Sequence, residues 1–219
     1  MIEFVRGMVD DLGHPVQANA YITPPANRGF DPHYDVHDVF VLQTSGRKHW
    51  RVHEPVHRDP LPTQPWTDHR DAITARGDDR PVIDTVLEPG DALYLPRGWV
   101  HSAEALGDTS IHLTIGVSAV TTYDLVRAVM DQLGNVESMR ASLPMGNDFT
   151  DRDETAAQAT KAIAAAIDVL QNGTTDLAEG VASRMSAVHA ERTRPDAVRP
   201  LATLRAVDAL DEHTVVRRR

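Results

Sequence analysis

The 219-residue sequence contains no cysteine. That excludes a disulfide framework, a thiol nucleophile, an iron–sulfur cluster and any thiolate-held zinc, and it leaves the redox compartment open. A bound metal would have to rest on histidine and carboxylate. Long apolar runs are also missing. No stretch approaches the roughly 20 residues of a membrane-crossing helix, and Met1 to Arg6 reads as neither a signal peptide nor a basic presequence, so no membrane association and a cytoplasmic location are expected. Positive charge is in deficit, with 22 Lys and Arg against 32 Asp and Glu. Neutralising a phosphate backbone needs clustered bases, so direct nucleic-acid binding is not expected. The Arg217-Arg218-Arg219 end reads as a solvated tail.

What is present is unevenly distributed. Residues 1–120 hold 9 of the 11 histidines, all three tryptophans and 11 of the 14 prolines, whereas residues 121–219 hold 17 alanines against 9 before them. Pro, Gly and Trp among Val and Ile runs read as short strands and turns, and Ala with Leu, Arg and Glu reads as helix. The expected organisation is a β domain over 1–120 and a helical region over 121–219 that pairs two copies of the chain. Its helices are predicted over Tyr123–Leu133, Glu154–Leu170, Asp176–Ala190 and Leu201–Leu210.

In the first part, Val16 to Thr23 alternates strictly, with Gln17, Asn19, Tyr21 and Thr23 on a polar face. Ser110 to Ser118 alternates as well, with Ser110, His112, Thr114 and Gly116 on its polar face. Asp38–Gln43 and Arg47–Val52 flank Thr44-Ser45-Gly46 and predict a hairpin; Pro81–Leu87 and Ala92–Leu95 flank Glu88–Asp91 in the same way. Trp99–Ala105 is a further strand. Many short strands with polar inner rows predict a barrel with a wet, ligand-holding interior.

Three His-x-Asp pairs occur, at His33/Asp35, His57/Asp59 and His69/Asp71. In an extended segment this spacing puts both side chains on one face, where they can share an ion. Only His33 and Asp35 lead into a strongly apolar strand; the other two pairs lie in proline-rich, non-alternating sequence. Two histidines and one carboxylate would leave open positions on iron, and His101, just beyond the Pro96-Arg97-Gly98 turn, is the best third ligand.

Several segments occur in one collinear order: Asn19-Ala20-Tyr21, Gly29-Phe30-Asp31-Pro32-His33-Tyr34-Asp35, His37 to Gln43, Gly46-Arg47-Lys48-His49-Trp50, Gly90 to Gly98 and Ser110-Ile111-His112-Leu113-Thr114. Together, over residues 16–118, they resemble the JmjC-type ribosomal oxygenases. The resemblance implies an all-β double-stranded β-helix barrel of the cupin or jelly-roll type, followed by an α-helical bundle. It implies Fe(II)- and 2-oxoglutarate-dependent hydroxylation of a protein side chain, in this family that of a ribosomal protein. It also implies that His33, Asp35 and His101 bind iron, that Lys48 pairs with the distal carboxylate of 2-oxoglutarate, and that no catalytic side chain is needed beyond the metal ligands. Asn19, Tyr21 and Thr114 are expected to hydrogen-bond the co-substrate, with His37 and His112 in supporting or packing roles. Lys48 shares parity with Trp50 and Val52 and so can point inward, where an ammonium is costly unless an anion meets it. Family members normally carry more sequence before the Asn-x-Tyr strand and a winged-helix domain at the end, so a fragment or a minimal member is expected. Alternatives of the same fold are a lysine demethylase and a small-molecule hydroxylase. A non-catalytic metal-binding module or regulatory dimer is the alternative of another class.

Overall fold

The computed structural model describes residues 2–25, 29 and 31–193. The expected helix at Leu201–Leu210 and the terminal arginines lie outside the described residues. The chain divides into two compact units, Met1–Ala119 and Val120–Arg219.

The first unit opens with α1 (Ile2–Leu12), which packs on β1 (Val16–Thr23). It continues with β2 (Asp38–Ser45) and β3 (Lys48–His53), a 3-10 turn at Trp66–His69, and α2 (Arg70–Gly77). Four strands follow: β4 (Ile83–Leu87), β5 (Ala92–Leu95), β6 (Val100–Ala105) and β7 (Ser110–Val117). One sheet has the order β1-β7-β2-β5 and the other β4-β3-β6, with antiparallel neighbours throughout. The apolar core lies between them: Val39, Val41, Leu93 and Leu95 of the first sheet pack with Trp50, Val52 and Leu87 of the second. Burying such aliphatic side chains contributes about 1.5–3 kcal/mol each, and this contact holds the two sheets face to face. No ladder joins the sheets among the described residues, so they form an open facing pair where a closed barrel was expected.

Neither expected hairpin forms. β2 pairs with β5 and β7, while β3 pairs with β4 and β6, so the Thr44-Ser45-Gly46 turn carries the chain from one sheet to the other. The physical reason lies in Gln43, which is buried. Its Nε2 donates to the carbonyls of Ser45 (2.8 Å) and Gly46 (3.1 Å) and to Ser110 Oγ (2.9 Å). The corner carbonyls are thereby satisfied by a side chain rather than by a partner strand. β2 bulges between Gln43 and Ser45, and Gly46 takes φ 63 against the Thr109 carbonyl, where a Cβ has no room. The Glu88–Asp91 turn crosses between the sheets in the same manner, from β4 to β5.

A second core cluster, Tyr34, Ile73 and Val100, packs α2 against β6. The periodicity of strands gives no sign of α2, a short helix set in proline-rich sequence.

The second unit contains α3 (Thr122–Leu133), α4 (Glu137–Arg140), α5 (Arg152–Asn172) and α6 (Thr174–Arg192). Thr121 and Asp124 form a reciprocal capping box that starts α3. α3 packs on α6 and is tied to it by Arg184 and Asp131 at 2.7 Å. Leu125, Val126 and Met130 of α3, with Ile163 and Ile167 of α5, remain exposed.

Candidate metal centre

His33 lies between β1 and β2, and it forms an isolated antiparallel bridge with His101 on β6. The His33 N–H donates to the His101 carbonyl (3.1 Å), and the His101 N–H donates to the His33 carbonyl (2.8 Å). Two residues that exchange both backbone bonds project their side chains to the same side, which brings the imidazole ring centroids to 4.4 Å. Asp35, two residues on, falls on that face again, while Tyr34 turns the other way into the second core, 1 % exposed, with its hydroxyl donating to the Gln64 carbonyl (2.9 Å). A third backbone bond, from the Gly98 N–H to the Asp35 carbonyl (3.0 Å), completes the zipper. Gly98 adopts φ 86, and a Cβ there would lie 2.5 Å from the His57 carbonyl oxygen and 2.9 Å from Pro60 Cδ. Only glycine fits that corner.

One ligand atom from each of His33, Asp35 and His101 lies within 4.8 Å of the other two, and His101 Nε2 is 3.7 Å from Asp35 Oδ2. The orientation of both rings is fixed by their other nitrogen. His33 Nδ1 donates to the Asp31 carbonyl (2.7 Å) and His101 Nδ1 to the Trp99 carbonyl (3.0 Å), leaving each Nε2 lone pair for a metal. Burial, followed by the neighbouring His33, drives the His101 pKa down to about 4, so that ring is neutral, the form that coordinates a cation. The donor set and its hydrogen-bonded support fit a divalent iron-type ion.

Among the described residues, the other His-x-Asp pairs join no such cluster. His57 Nε2 donates to Gln64 Oε1 (3.2 Å) and its ring stacks on His69 at 4.9 Å between centroids, while Asp59 faces Arg97 at 3.8 Å. Of the three pairs, His33/Asp35 is the one whose ligand atoms lie beside a further histidine, His101.

The triad lines a cavity of about 430 Å³ between the sheets. Lys48, Tyr21 and Thr114 line it too, in keeping with the inner rows read from the sequence. Asn19 does not: it is exposed in the middle of β1, opposite Thr114 in the ladder, and is not part of the cavity wall. Lys48 is 3 % exposed, and its Nζ donates to Thr23 Oγ1 (3.1 Å). No carboxylate pairs with it among the described residues, and burial lowers its pKa to about 8. A buried ammonium without a counter-charge marks a place for an anion. Val39, Val41, Leu95 and Trp50 supply apolar wall around these polar groups. His37 packs against Gly116, where a Cβ would sit 2.5 Å from its ring.

The sequence names neither Thr23 nor Trp66 as a site residue and gives His112 a supporting or packing role, yet His112 and Trp66 line the cavity and Thr23 holds Lys48. Thr23 and His112 could have been found from parity alone, since each occupies a polar inner row with a named site residue. Trp66 carries no such signal: it comes from the 3-10 turn and reaches the rim through tertiary packing, 6.2 Å from the His33 ring.

The family model described as JmjC domain matches residues 4–125. Ribosomal oxygenase 1 of Rattus norvegicus is 42 % identical over 135 residues, covering 58 % of this chain and 21 % of the relative. Ribosomal oxygenase 1 of Homo sapiens is 37 % identical over 155 residues, covering 68 % and 24 %. The bifunctional lysine-specific demethylase and histidyl-hydroxylase NO66 of Drosophila persimilis is 38 % identical over 131 residues, covering 59 % and 18 %. The chain thus spans about a fifth of the length of these curated relatives. Among solved structures, Escherichia coli YcfD, a ribosomal oxygenase in complex with cobalt and succinic acid, aligns with TM-score 0.49 and 22 % identity, covering 81 % of this chain and 46 % of that one. Because the JmjC model spans more than half of the sequence, and spans the two facing sheets described above, the chain belongs to the JmjC domain family and has its cupin-type fold.

Proposed function

We propose that this chain is an Fe(II)- and 2-oxoglutarate-dependent dioxygenase that hydroxylates a protein side chain, with a ribosomal protein as the substrate. The observation that carries the reading is the pairing, in one cavity, of a two-histidine, one-carboxylate cluster with a buried lysine that lacks a counter-charge. The names of the relatives, ribosomal oxygenase and histidyl-hydroxylase, point the same way.

In this reading His33 and His101 hold the metal through Nε2 and Asp35 through its carboxylate. Bound together, iron and 2-oxoglutarate supply oxygen activation coupled to decarboxylation of the oxo acid to succinate, and with it the hydroxylation of a C–H bond. The protein's part is positioning. The Asp31 and Trp99 carbonyls keep both imidazoles in the ligating tautomer and prevent ring rotation. Lys48 meets the distal carboxylate of the oxo acid with a charge-assisted hydrogen bond, and Tyr21 and Thr114 are within the same wall to hydrogen-bond it. The apolar wall of Val39, Val41, Leu95 and Trp50 excludes water from the reacting carbon. Residues 1–120 would be the catalytic domain, built as a double-stranded β-helix. The helices of 121–219 would pair two copies through the exposed Leu125, Val126, Met130, Ile163 and Ile167. A ribosomal substrate places the reaction in the cytoplasm.

The test is anaerobic titration of the protein with Fe(II) and 2-oxoglutarate, followed by mass spectrometry of ribosomal proteins for the gain of one oxygen atom. A weak visible charge-transfer band and a rise in melting temperature with 2-oxoglutarate are expected. If neither appears, the oxygenase reading is wrong for this chain. The demethylase named for the Drosophila relative is the second reading, and loss of a methyl group in place of oxygen gain would select it.

A further inference from the structure

The cavity holds one more polar side chain whose position the metal and the lysine do not explain. His112 is central in its sheet: on β7 it stands opposite Tyr21 of β1 on one side and Gln43 of β2 on the other. Its ring stacks on Tyr21 (centroids 5.1 Å, 6° between planes) and meets the face of Trp50 edge-on (5.5 Å, 84°). Two aromatic neighbours therefore fix the plane of an imidazole that is only 3 % exposed. Nδ1 is sealed away with no hydrogen-bond partner. An N–H buried there without an acceptor would forfeit a full hydrogen bond, so the proton sits on Nε2, the nitrogen left to face the cavity that His112 lines. Burial, followed by the adjacent Lys48, holds the ring neutral, with its pKa lowered to about 4.

Lys48 and His112 thus present two N–H donors at one end of the cavity, and no described carboxylate meets either. A single ammonium satisfies one oxygen of a carboxylate well; the second oxygen needs another donor. We infer that His112 Nε2–H donates to the distal carboxylate of 2-oxoglutarate beside Lys48, and so helps select a dicarboxylic oxo acid. The inference rests on the co-substrate reading above and adds a binding residue to it. A hydrogen bond to a charged oxygen in such a site is worth at least about tenfold in affinity, or about 1.4 kcal/mol.

The test is isothermal calorimetry on the full chain loaded with Mn(II), titrated with 2-oxoglutarate and, separately, with 2-oxopentanoate, which has the same chain length and no distal carboxylate. His112→Phe is expected to weaken 2-oxoglutarate about tenfold and to leave 2-oxopentanoate unchanged. His112→Gln, whose amide nitrogen reaches the position of Nε2, is expected to recover affinity to within about threefold. Mn(II) affinity stays the same in all three proteins. Equal weakening of both oxo acids in His112→Phe would make the residue a packing element only and overturn the inference, as would undiminished 2-oxoglutarate binding. Should His112→Phe fail to fold, His112→Asn carries the same expectation of selective loss, because its shorter amide falls short of the ligand. Wild-type protein that binds neither oxo acid would sink the oxygenase reading and this inference together; wild-type binding with an unaffected variant would sink this inference alone.

Discussion

Replacing Lys48 by methionine should stabilise the empty protein near pH 7 and abolish its response to 2-oxoglutarate. Burial lowers the Lys48 pKa from 10.5 to about 8, which corresponds to about 3 kcal/mol disfavouring the charged form in the fold. The ammonium opens onto a cavity that admits water, so screening reduces this to about 2 kcal/mol. Methionine keeps the length of the buried stem but leaves the Thr23 hydroxyl, now paired with Nζ at 3.1 Å, without its partner, at a cost of about 1 kcal/mol. The net gain is about 1 kcal/mol, or about 2–4 °C in Tm for a chain of this size. Its pH dependence has a definite sign. Below the folded pKa of about 8 the lysine is charged in both states and the full penalty applies. Between about 8 and 10.5 the unfolded chain holds a proton that the folded chain has released, so wild-type stability rises with pH and the advantage of methionine shrinks. Tyr21, Tyr34 and Tyr94, whose pKa values burial raises, lower stability only at still higher pH and cancel in the comparison. The measurement is urea unfolding of both proteins from about pH 7 to about pH 9.5, without metal or oxo acid. A variant less stable than wild type at neutral pH, or a difference that is flat across the range, would show that the ammonium reaches bulk water and would remove the argument for an anion site. Adding Mn(II) and 2-oxoglutarate should invert the order, since only the wild type then gains a counter-ion.

His33→Ala and Asp35→Ala should each abolish Mn(II) binding in a calorimetric titration, whereas His57→Ala and Asp59→Ala should leave it intact; the reverse pattern would reassign the site. Gly98→Ala should cost about 3 kcal/mol in urea unfolding and weaken Mn(II), because φ 86 is strained for alanine, its Cβ meets the His57 carbonyl, and the Gly98 N–H that holds the Asp35 carbonyl must move. Unchanged stability and metal affinity would mean that the corner is slack.

The strands and the polar inner rows were legible because both depend on period-2 alternation, a property of adjacent residues. Tyr21, Lys48 and Thr114 fall on the cavity wall for that reason alone. Asn19 shares the row and yet misses the cavity, because parity states which face a residue takes and says nothing of how far along the strand the cavity extends. The choice of His33 and Asp35 over two identical spacings came from the apolar strand that follows, and the structure gives the cause: a segment leading into a buried strand is the one that can be zipped onto β6 by backbone bonds.

The two overturned hairpins mark where local reading stops. Thr44-Ser45-Gly46 has the composition of a hairpin turn, and its glycine does take positive φ, but the partner of β2 was decided two-thirds of a domain away, by β7. A turn can fold the chain back along the same sheet or lift it to the facing one with the same residues at its tip; what differs is which group donates to the flanking carbonyls. Here the side-chain amide of Gln43 donates to them and to Ser110 Oγ of β7. Together with the β2–β7 ladder and the Thr44 hydroxyl, which donates to the Ile111 carbonyl (2.9 Å), that contact joins the corner to the strand that carries His112 and Thr114, and the sheet crossing brings Lys48, on the strand after the turn, to face them across the cavity. Had β2 and β3 formed the expected hairpin, Lys48 and His112 would have belonged to one sheet, and they would not line the cavity from facing sheets.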